Sequence, residues 1–360
     1  MNVPRVSVLM AVHNEERFLG AAIESILAQT FTDFELVLVD DASTDRSYAI
    51  AASYRDPRIR LVTNPQNLGQ TRSLNRGLAL CRGEYVARLD GNDLAFPERL
   101  AKQVAWLDTH PDTGVLGTQA VPIDVHGRRV RRAAWWNAAW QRPPGGLEMD
   151  WYRTFDTPFV HSAVMFRRAL VERLGGYDER QELAQDAELW MRAGAQMRLA
   201  NLEEPLAAYR FDRASMTADG SRPERLRYSA VKTPVIHQLF REVLQWPDVP
   251  ARWAELWVAA NVPGPAIAPA DVPELAAALD ACAERFFALH PEARHLRGIA
   301  RHRASMLGRL AAAADRRTML ALYVRMLRLD LVSALWLLPR LAALFLLGDT
   351  AVRWWRRRTA

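Results

Sequence analysis

The chain opens on short apolar runs that alternate with longer amphipathic stretches. Residues 6–12 (VSVLMAV) form a β-branched apolar run of strand length, and in residues 15–30 the positions Leu19, Ile23, Ile26 and Leu27 recur at helical spacing. The pattern repeats: residues 34–39 read as a strand, 44–54 as a helix, 59–62 as a strand, 70–82 as a helix with Leu74, Leu78 and Cys81 on one face, and 85–89 as a strand. Such alternation predicts an α/β fold on a Rossmann-like, doubly wound, mostly parallel sheet, whose ligands bind outside the carboxyl ends of the strands. A helix begun by a permitted proline follows over 97–110, and strands are expected at 115–125 and 162–166. Beyond about residue 222 the strand signal disappears, and helical segments separated by proline loops such as 261–273 run to the end. The expected division is a catalytic domain over 1–225 and an all-helical region over 226–360, with no internal repeat.

With 360 residues, half of them apolar, the chain suits two domains with sizeable cores. Cys81 and Cys282 lie far apart without metal-ligand spacing, so neither a disulfide framework nor a zinc site is expected, and a reducing cytoplasm is the natural setting. The first ten residues run into a strand without a charged and then apolar leader, so export is not expected. Charge changes the picture only at one end. From Pro291 to Ala360 fourteen arginines face four acidic residues, so this segment carries +10 of a net +6 and the remainder −4. Lys102 and Lys232 are the only lysines, a bias that genome composition can produce. Trp and Leu dominate between the C-terminal arginines, which argues against a nucleic-acid partner.

Three acidic clusters fall where a parallel sheet places its chemistry. Asp40-Asp41-Ala42-Ser43-Thr44-Asp45 follows the second strand; it can cap the next helix, and it can also offer acceptors to a nucleobase or ribose. Asp90-Gly91-Asn92-Asp93 follows the strand at 85–89; it has turn chemistry, and it can also hold a divalent cation against a diphosphate. Gln185-Asp186-Ala187-Glu188 opens a helix; a first-turn carboxylate steadies the helix dipole, and Asp186 can also take the proton from a sugar hydroxyl as general base.

Taken in order, VSVLMAVHNEE, VDDASTD, NLGQTRSLNRG, GEYVARLDGNDLAFPERL, HSAVMFRR, GGYDE, QDAELWMR and PLAAYR resemble the motif series of family 2 glycosyltransferases with the GT-A fold, over about residues 4–217. The resemblance implies a nucleoside-diphosphate sugar donor, most often a UDP-sugar, a divalent metal (Mn²⁺ or Mg²⁺) and inversion at the anomeric carbon. It places Ala11, His13 and Glu15 beside the nucleotide and Asp41 facing the base, with Asn67, Gly69 and Asn75 shaping that pocket; Arg72 is a further candidate there on its position alone. Asp90 and Asn92 stand at the two ends of the metal-binding DXD motif, Asp186 matches the catalytic base, and His161 and Arg210 match positions near the acceptor side. Two departures stand out. Asn92 replaces the usual Asp, which lowers the expected metal affinity unless Asp90 or Asp93 compensates, and Gln185 replaces a frequent Glu.

Outside the motifs, Trp135, Trp136 and Trp140, with Arg131 and Arg132 before them and Trp151 after, offer aromatic faces and cations suited to a phosphorylated, lipid-linked or glycan acceptor, or pack beneath a long loop. Residues 331–347 are apolar but broken by Pro339 and Arg340, and Trp354-Trp355-Arg356-Arg357-Arg358 follow. They read as an interfacial anchor on an anionic membrane, at the inner face of the cell membrane, or as a packed helical bundle. Two competing functions remain. A nucleotide-sugar-binding protein that has lost turnover would account for Asn92 and Gln185; a nucleotidyltransferase is disfavoured, because residues 11–17 lack a glycine-rich, lysine-bearing phosphate loop. Oligomeric state is not legible.

Overall fold

The computed structural model describes residues 3–130, 142–211, 222–261, 267–311, 314, 316–330 and 334. They divide into two compact units, the first holding 3–130, 142–149 and 157–211, the second holding 150–156 and the described residues from 222 onward.

The described strands of the first unit form one eight-stranded sheet: β1 (Val6–Val12), β2 (Phe34–Asp40), β3 (Ile59–Thr63), β4 (Tyr85–Arg88), β5 (Leu94–Ala95), β6 (Thr113–Ile123), β7 (Met165–Arg167) and β8 (Arg198–Arg210), in the order β3-β2-β1-β4-β7-β6-β8-β5. The β3-β2-β1-β4 half is parallel, as the alternating pattern predicts. Past β4 the sheet is mixed, with β7 antiparallel to both its neighbours, β6 parallel to β8, and β5 antiparallel to β8. The helices of this unit are α1 (Leu19–Leu27), α2 (Ser47–Ser53), α3 (Gln70–Leu78), α4 (Arg99–Thr109), α5 (Gly146–Arg153), α6 (Arg168–Arg173) and α7 (Gln185–Gly194), of which α5 runs on into the second unit.

Both faces of the sheet are covered, which is why β1 and β2 are buried along their whole length and read as apolar runs. Successive residues of β1 serve opposite faces. Val6, Val8, Met10 and Val12 join Leu19, Ile23 and Ile26 of α1 and Leu100, Val104 and Leu107 of α4, whereas Leu9 and Ala11 join Leu74 and Leu78 of α3 and Leu189 and Trp190 of α7. A β-carbon at Gly77 would stand 2.3 Å from Leu9 Cδ1, so glycine lets α3 lie close on the strands. At the amino end of the sheet, Glu35 accepts hydrogen bonds from Ser7 Oγ (2.7 Å) and from Arg82 Nε (2.9 Å), which fixes the turn into β4. Burial opposes the charge of Glu35, yet Arg82 and Ser7 together hold its carboxyl below the usual range.

The long strand β8 departs from the sequence pattern. Glu203, Glu204 and Pro205 are exposed at its middle, where a polar pair and a proline argue against a strand, and the pairing with β6 shifts register there.

The described elements of the second unit are all helical, the main ones being α8 (Arg222–Val243), α9 (Ala251–Asn261), α10 (Val272–Leu289), α11 (Arg297–Ala311) and α12 (Arg316–Leu329). Residues 150–156 belong to its core. Trp151 is buried against Phe155 and Phe286, Trp257 Nε1 donates to the Phe155 carbonyl (2.7 Å), and Lys232 Nζ donates to Asp156 Oδ1 (2.8 Å). No described helix is long and apolar enough to cross a membrane. Arg131, Arg132, Trp135, Trp136, Trp140 and the apolar and arginine-rich stretches at 331–347 and 354–358 lie outside the described residues, Ala334 excepted.

Candidate active site

The polar clusters gather at the carboxyl ends of β1, β2 and β4 and at the amino ends of α3 and α7. Asp90 follows β4 and is half-buried. Its Oδ1 accepts from Arg88 Nη2 and from Gln70 Nε2 (3.2 Å), and its Oδ2 accepts from Ser162 Oγ (2.6 Å), whose oxygen accepts in turn from the Asp90 backbone (3.2 Å). Burial works against the Asp90 charge, but the Arg88 guanidinium and the Ser162 hydroxyl outweigh it and hold the carboxyl below its ordinary value. Gly91 packs on β1, since a β-carbon there would stand 2.6 Å from Val12 Cγ1. Asn92 and Asp93 then part company. The Asn92 side chain is partly exposed and hydrogen-bonds no described residue, while its carbonyl accepts from Arg210 Nε (2.7 Å). Asp93 turns inward, where its Oδ1 accepts from the Arg210 backbone N–H (2.7 Å). Burial and the Asp90 charge push the Asp93 carboxyl up to about 7. Arg210 also donates to the Asp124 carbonyl (2.9 Å) and lies over the Phe18 ring.

The third cluster opens α7, preceded by Ala184 in the left-handed region (φ 56°). Asp186, in the first turn, is partly exposed, and its carboxylate hydrogen-bonds no described residue. Glu188 is buried and held by Arg192 at 2.5 and 2.6 Å. Gln185 is buried and donates from Nε2 to Gln70 Oε1 (2.8 Å). His161 shares a 3.0 Å hydrogen bond with the Tyr177 hydroxyl; burial, and then the charge of Arg88, bring its imidazole down to about 4. The charges of Asp186 and Asp90 both act on His161 and Tyr177.

The residues carried over to the nucleotide side are partly engaged in building the loops. Asp41 is buried, with Oδ1 accepting from Asn64 Nδ2 (2.6 Å) and the Leu68 N–H (2.8 Å) and Oδ2 from the Gly69 N–H (2.9 Å). Farther along the cluster, Asp45 Oδ1 accepts from the N–H of Ser47, the first residue of α2 (2.8 Å). The exposed His13 hydrogen-bonds the Asp41 carbonyl (2.8 Å), the Glu15 N–H donates to Ser47 Oγ (2.8 Å), and Ala11 is buried opposite Val39. Asn67 Oδ1 accepts from the Gly69 N–H (2.9 Å), and Gly69 adopts φ 84°, a conformation that favours glycine. Asn75 exchanges two 2.9 Å hydrogen bonds with the Tyr177 backbone, and Arg72 is exposed beside Glu179 at 3.6 Å. These last two bind α3 to the 175–181 segment. Among the described residues no three His, Cys, Asp or Glu side chains cluster as a metal site.

Sequence reasoning passed over Arg88, Ser162, Gln70 and Asn64, although the first three sit inside quoted motifs. Arg88 carried a signal: an arginine in a wholly apolar strand needs an anionic partner nearby.

Fold and site together define an α/β protein with a polar ligand face at the carboxyl ends of its parallel strands. The comparisons with known proteins narrow this class. The family model for glycosyl transferase family 2 matches residues 7–175. The putative glycosyltransferase EpsE of Bacillus subtilis (strain 168) is 36% identical over 249 residues, 67% of this chain and 83% of that protein. The amylovoran biosynthesis glycosyltransferase AmsE of Erwinia amylovora is 31% identical over 191 residues, 52% and 68% of the two chains. Among solved structures, S. aureus TarS 1–349 in complex with UDP-GlcNAc aligns with a TM-score of 0.54 at 19% identity, over 87% of this chain and 82% of that one. The mannosyltransferase PcManGT from Pyrobaculum calidifontis, in complex with GDP-Man and Mn²⁺, gives 0.54 at 22%, over 87% and 86%. The chain belongs to glycosyltransferase family 2, with the GT-A fold, and is a glycosyltransferase.

Proposed function

We propose that this protein transfers a sugar, with inversion, from a nucleoside-diphosphate sugar to a hydroxyl of a glycan or lipid-linked acceptor, with Asp186 as the general base. The observation that carries this reading is the contrast between Asp186 and its acidic neighbours. Asp41, Asp90, Asp93 and Glu188 are all engaged by protein donors, whereas the Asp186 carboxylate has no hydrogen bond to a described residue and, like Asp90, acts on the His161–Tyr177 pair, able to accept an acceptor proton. Transfer of the acceptor hydroxyl proton to Asp186 Oδ would let that oxygen attack the anomeric carbon from the face opposite the diphosphate, which leaves as its bond to that carbon breaks. His161, uncharged at neutral pH, adds no competing cation there.

The donor set fits a divalent cation that the substrate completes. Asp90 and the uncommitted Asn92 amide oxygen would hold Mn²⁺ or Mg²⁺, with the remaining positions left to diphosphate and water; Asp93, turned inward, is the poorer ligand. Such a cation, when bound, offsets charge on the departing nucleoside diphosphate. The neutral ligand at position 92 favours weak metal affinity, and the reading of a nucleotide-sugar-binding protein without turnover rests on that residue and on Gln185.

UDP-GlcNAc and GDP-mannose are the natural first donors, given what the two solved relatives hold. The name of AmsE points to polysaccharide assembly, which suits a cytoplasmic enzyme meeting its acceptor at the inner membrane face through the residues at 331–347 and 354–358. Thermal-shift and transfer assays against nucleotide sugars, with and without Mn²⁺ or Mg²⁺, test the proposal. A donor should raise the melting temperature only with metal present. If no nucleotide sugar gives a shift or a product, the proposal fails.

A further inference from the structure

Gln70 stands between the two halves of the site. Its Nε2 donates to Asp90 Oδ1 (3.2 Å), and its Oε1 accepts from Gln185 Nε2 (2.8 Å), at the buried first residue of the helix that carries Asp186. A primary amide has a donor end and an acceptor end, and an ionised carboxylate only accepts. Asp90, which already takes hydrogen bonds from Arg88 and Ser162, therefore dictates which way Gln70 faces, and Gln70 then requires a donor at position 185. Glutamate there would put a carboxylate against Gln70 Oε1. Turning the Gln70 amide over would only move the oxygen–oxygen contact to Asp90.

We infer that Gln70 and Gln185 are a polarity-matched pair of positioning residues, which orient Asp90 and tie it to the helix bearing Asp186. Gln185 is on this view an amide because Gln70 demands a donor, and its presence is no sign of lost activity. The inference rests on the proposed function for its catalytic meaning, but the pairing itself has a readout in the ligand-free protein.

The test compares wild type with Gln185→Glu, Gln185→Met and the double variant Gln70→Lys/Gln185→Glu between pH 5.5 and 8.5. Both transfer (kcat/KM, with Mn²⁺ and a nucleotide sugar) and the melting temperature of the ligand-free full chain are read. At pH 8 the carboxylate introduced by Gln185→Glu faces an acceptor, and transfer should fall on the order of ten- to a hundredfold, with a melting temperature lower by about 3 °C or more. Towards pH 5.5 that carboxyl takes a proton and becomes a donor, so both deficits relative to wild type should shrink. Gln185→Met removes the donor without adding charge, and its deficit should not depend on pH. In the double variant a lysine ammonium, which only donates, can serve both carboxylates and should restore much of the loss at pH 8. A Gln185→Glu variant equal to wild type at pH 8, or impaired by the same factor at every pH, overturns the pairing. If no variant and no wild type transfers sugar, the proposed function fails, while the melting temperatures still decide the pairing.

Discussion

The Arg210 guanidinium holds the backbone carbonyl of Asn92 at 2.7 Å, while the backbone N–H of the same arginine holds the Asp93 carboxylate at 2.7 Å. One residue at the end of β8 thus sets the turn that follows β4. Arg210→Lys keeps the backbone contact and the charge but cannot hydrogen-bond the Asn92 and Asp124 carbonyls together, because it lacks the planar fork. The variant should lose about 1–3 kcal/mol of stability and bind donor roughly tenfold more weakly in the presence of metal. Chemical denaturation and donor titration check this, and unchanged values in both would remove Arg210 from the support of the turn.

Asn92→Asp adds a charged oxygen where the side chain has no hydrogen bond to a described residue. The metal concentration for half-maximal transfer should fall, by roughly tenfold or more. Turnover at saturating metal need not rise, since tighter ground-state binding alone does not lower the barrier. A metal requirement that stays the same or worsens would place the cation elsewhere.

Asp186→Asn preserves shape and removes the base, so transfer should drop by about 10²–10⁴ while donor affinity stays nearly constant. Glu188 is the nearest alternative by sequence, but its ion pair with Arg192 commits it to fixing α7. Full turnover in Asp186→Asn, measured on purified protein, would end the assignment.

The parallel half of the sheet, and the position of the first two acidic clusters at its carboxyl ends, were legible because a strand buried on both faces must be an apolar run with its polar residues beyond it. The strand β8 was not, because its interruption at Glu203, Glu204 and Pro205 is an exposed irregularity that only the register with β6 explains. The division of labour inside each cluster was equally hidden. Asn92 and Asp93 are neighbours in sequence, yet the Asn92 side chain is partly exposed and hydrogen-bonds no described residue while Asp93 is buried, and both are held by Arg210, more than a hundred residues away. Likewise Asn75 fits the family's pattern for a pocket residue, but its amide hydrogen-bonds the Tyr177 backbone, a contact no local motif announces.

His161 gives a pH dependence with a definite sign. Its imidazole falls from 6.5 to about 4 in the folded state, so below pH 6.5 the unfolded chain binds the extra proton and the folded one does not. The stability associated with this residue is present above pH 6.5 and lost as pH falls towards 4. His161→Gln can keep a hydrogen bond to Tyr177 without titrating. The stability difference, wild type minus variant, should therefore become less favourable to wild type by on the order of 1–3 kcal/mol between pH 7 and pH 4.5. Denaturant melts at the two pH values supply the comparison, and a difference that does not move with pH would mean the imidazole titrates normally.

The hydrogen bonds that assemble the site join residues far apart in the chain: Asp90 to Ser162 spans 72 residues, Gln70 to Gln185 spans 115, and Asp93 to Arg210 spans 117. Each of these contacts closes a long stretch of chain, so the entropy of closing it is a cost that the turn carries in the folded unit. During synthesis the ribosome therefore releases β1 to β4 well before the residues that complete their ligand face, and a nascent chain has no finished site until Arg210 has emerged.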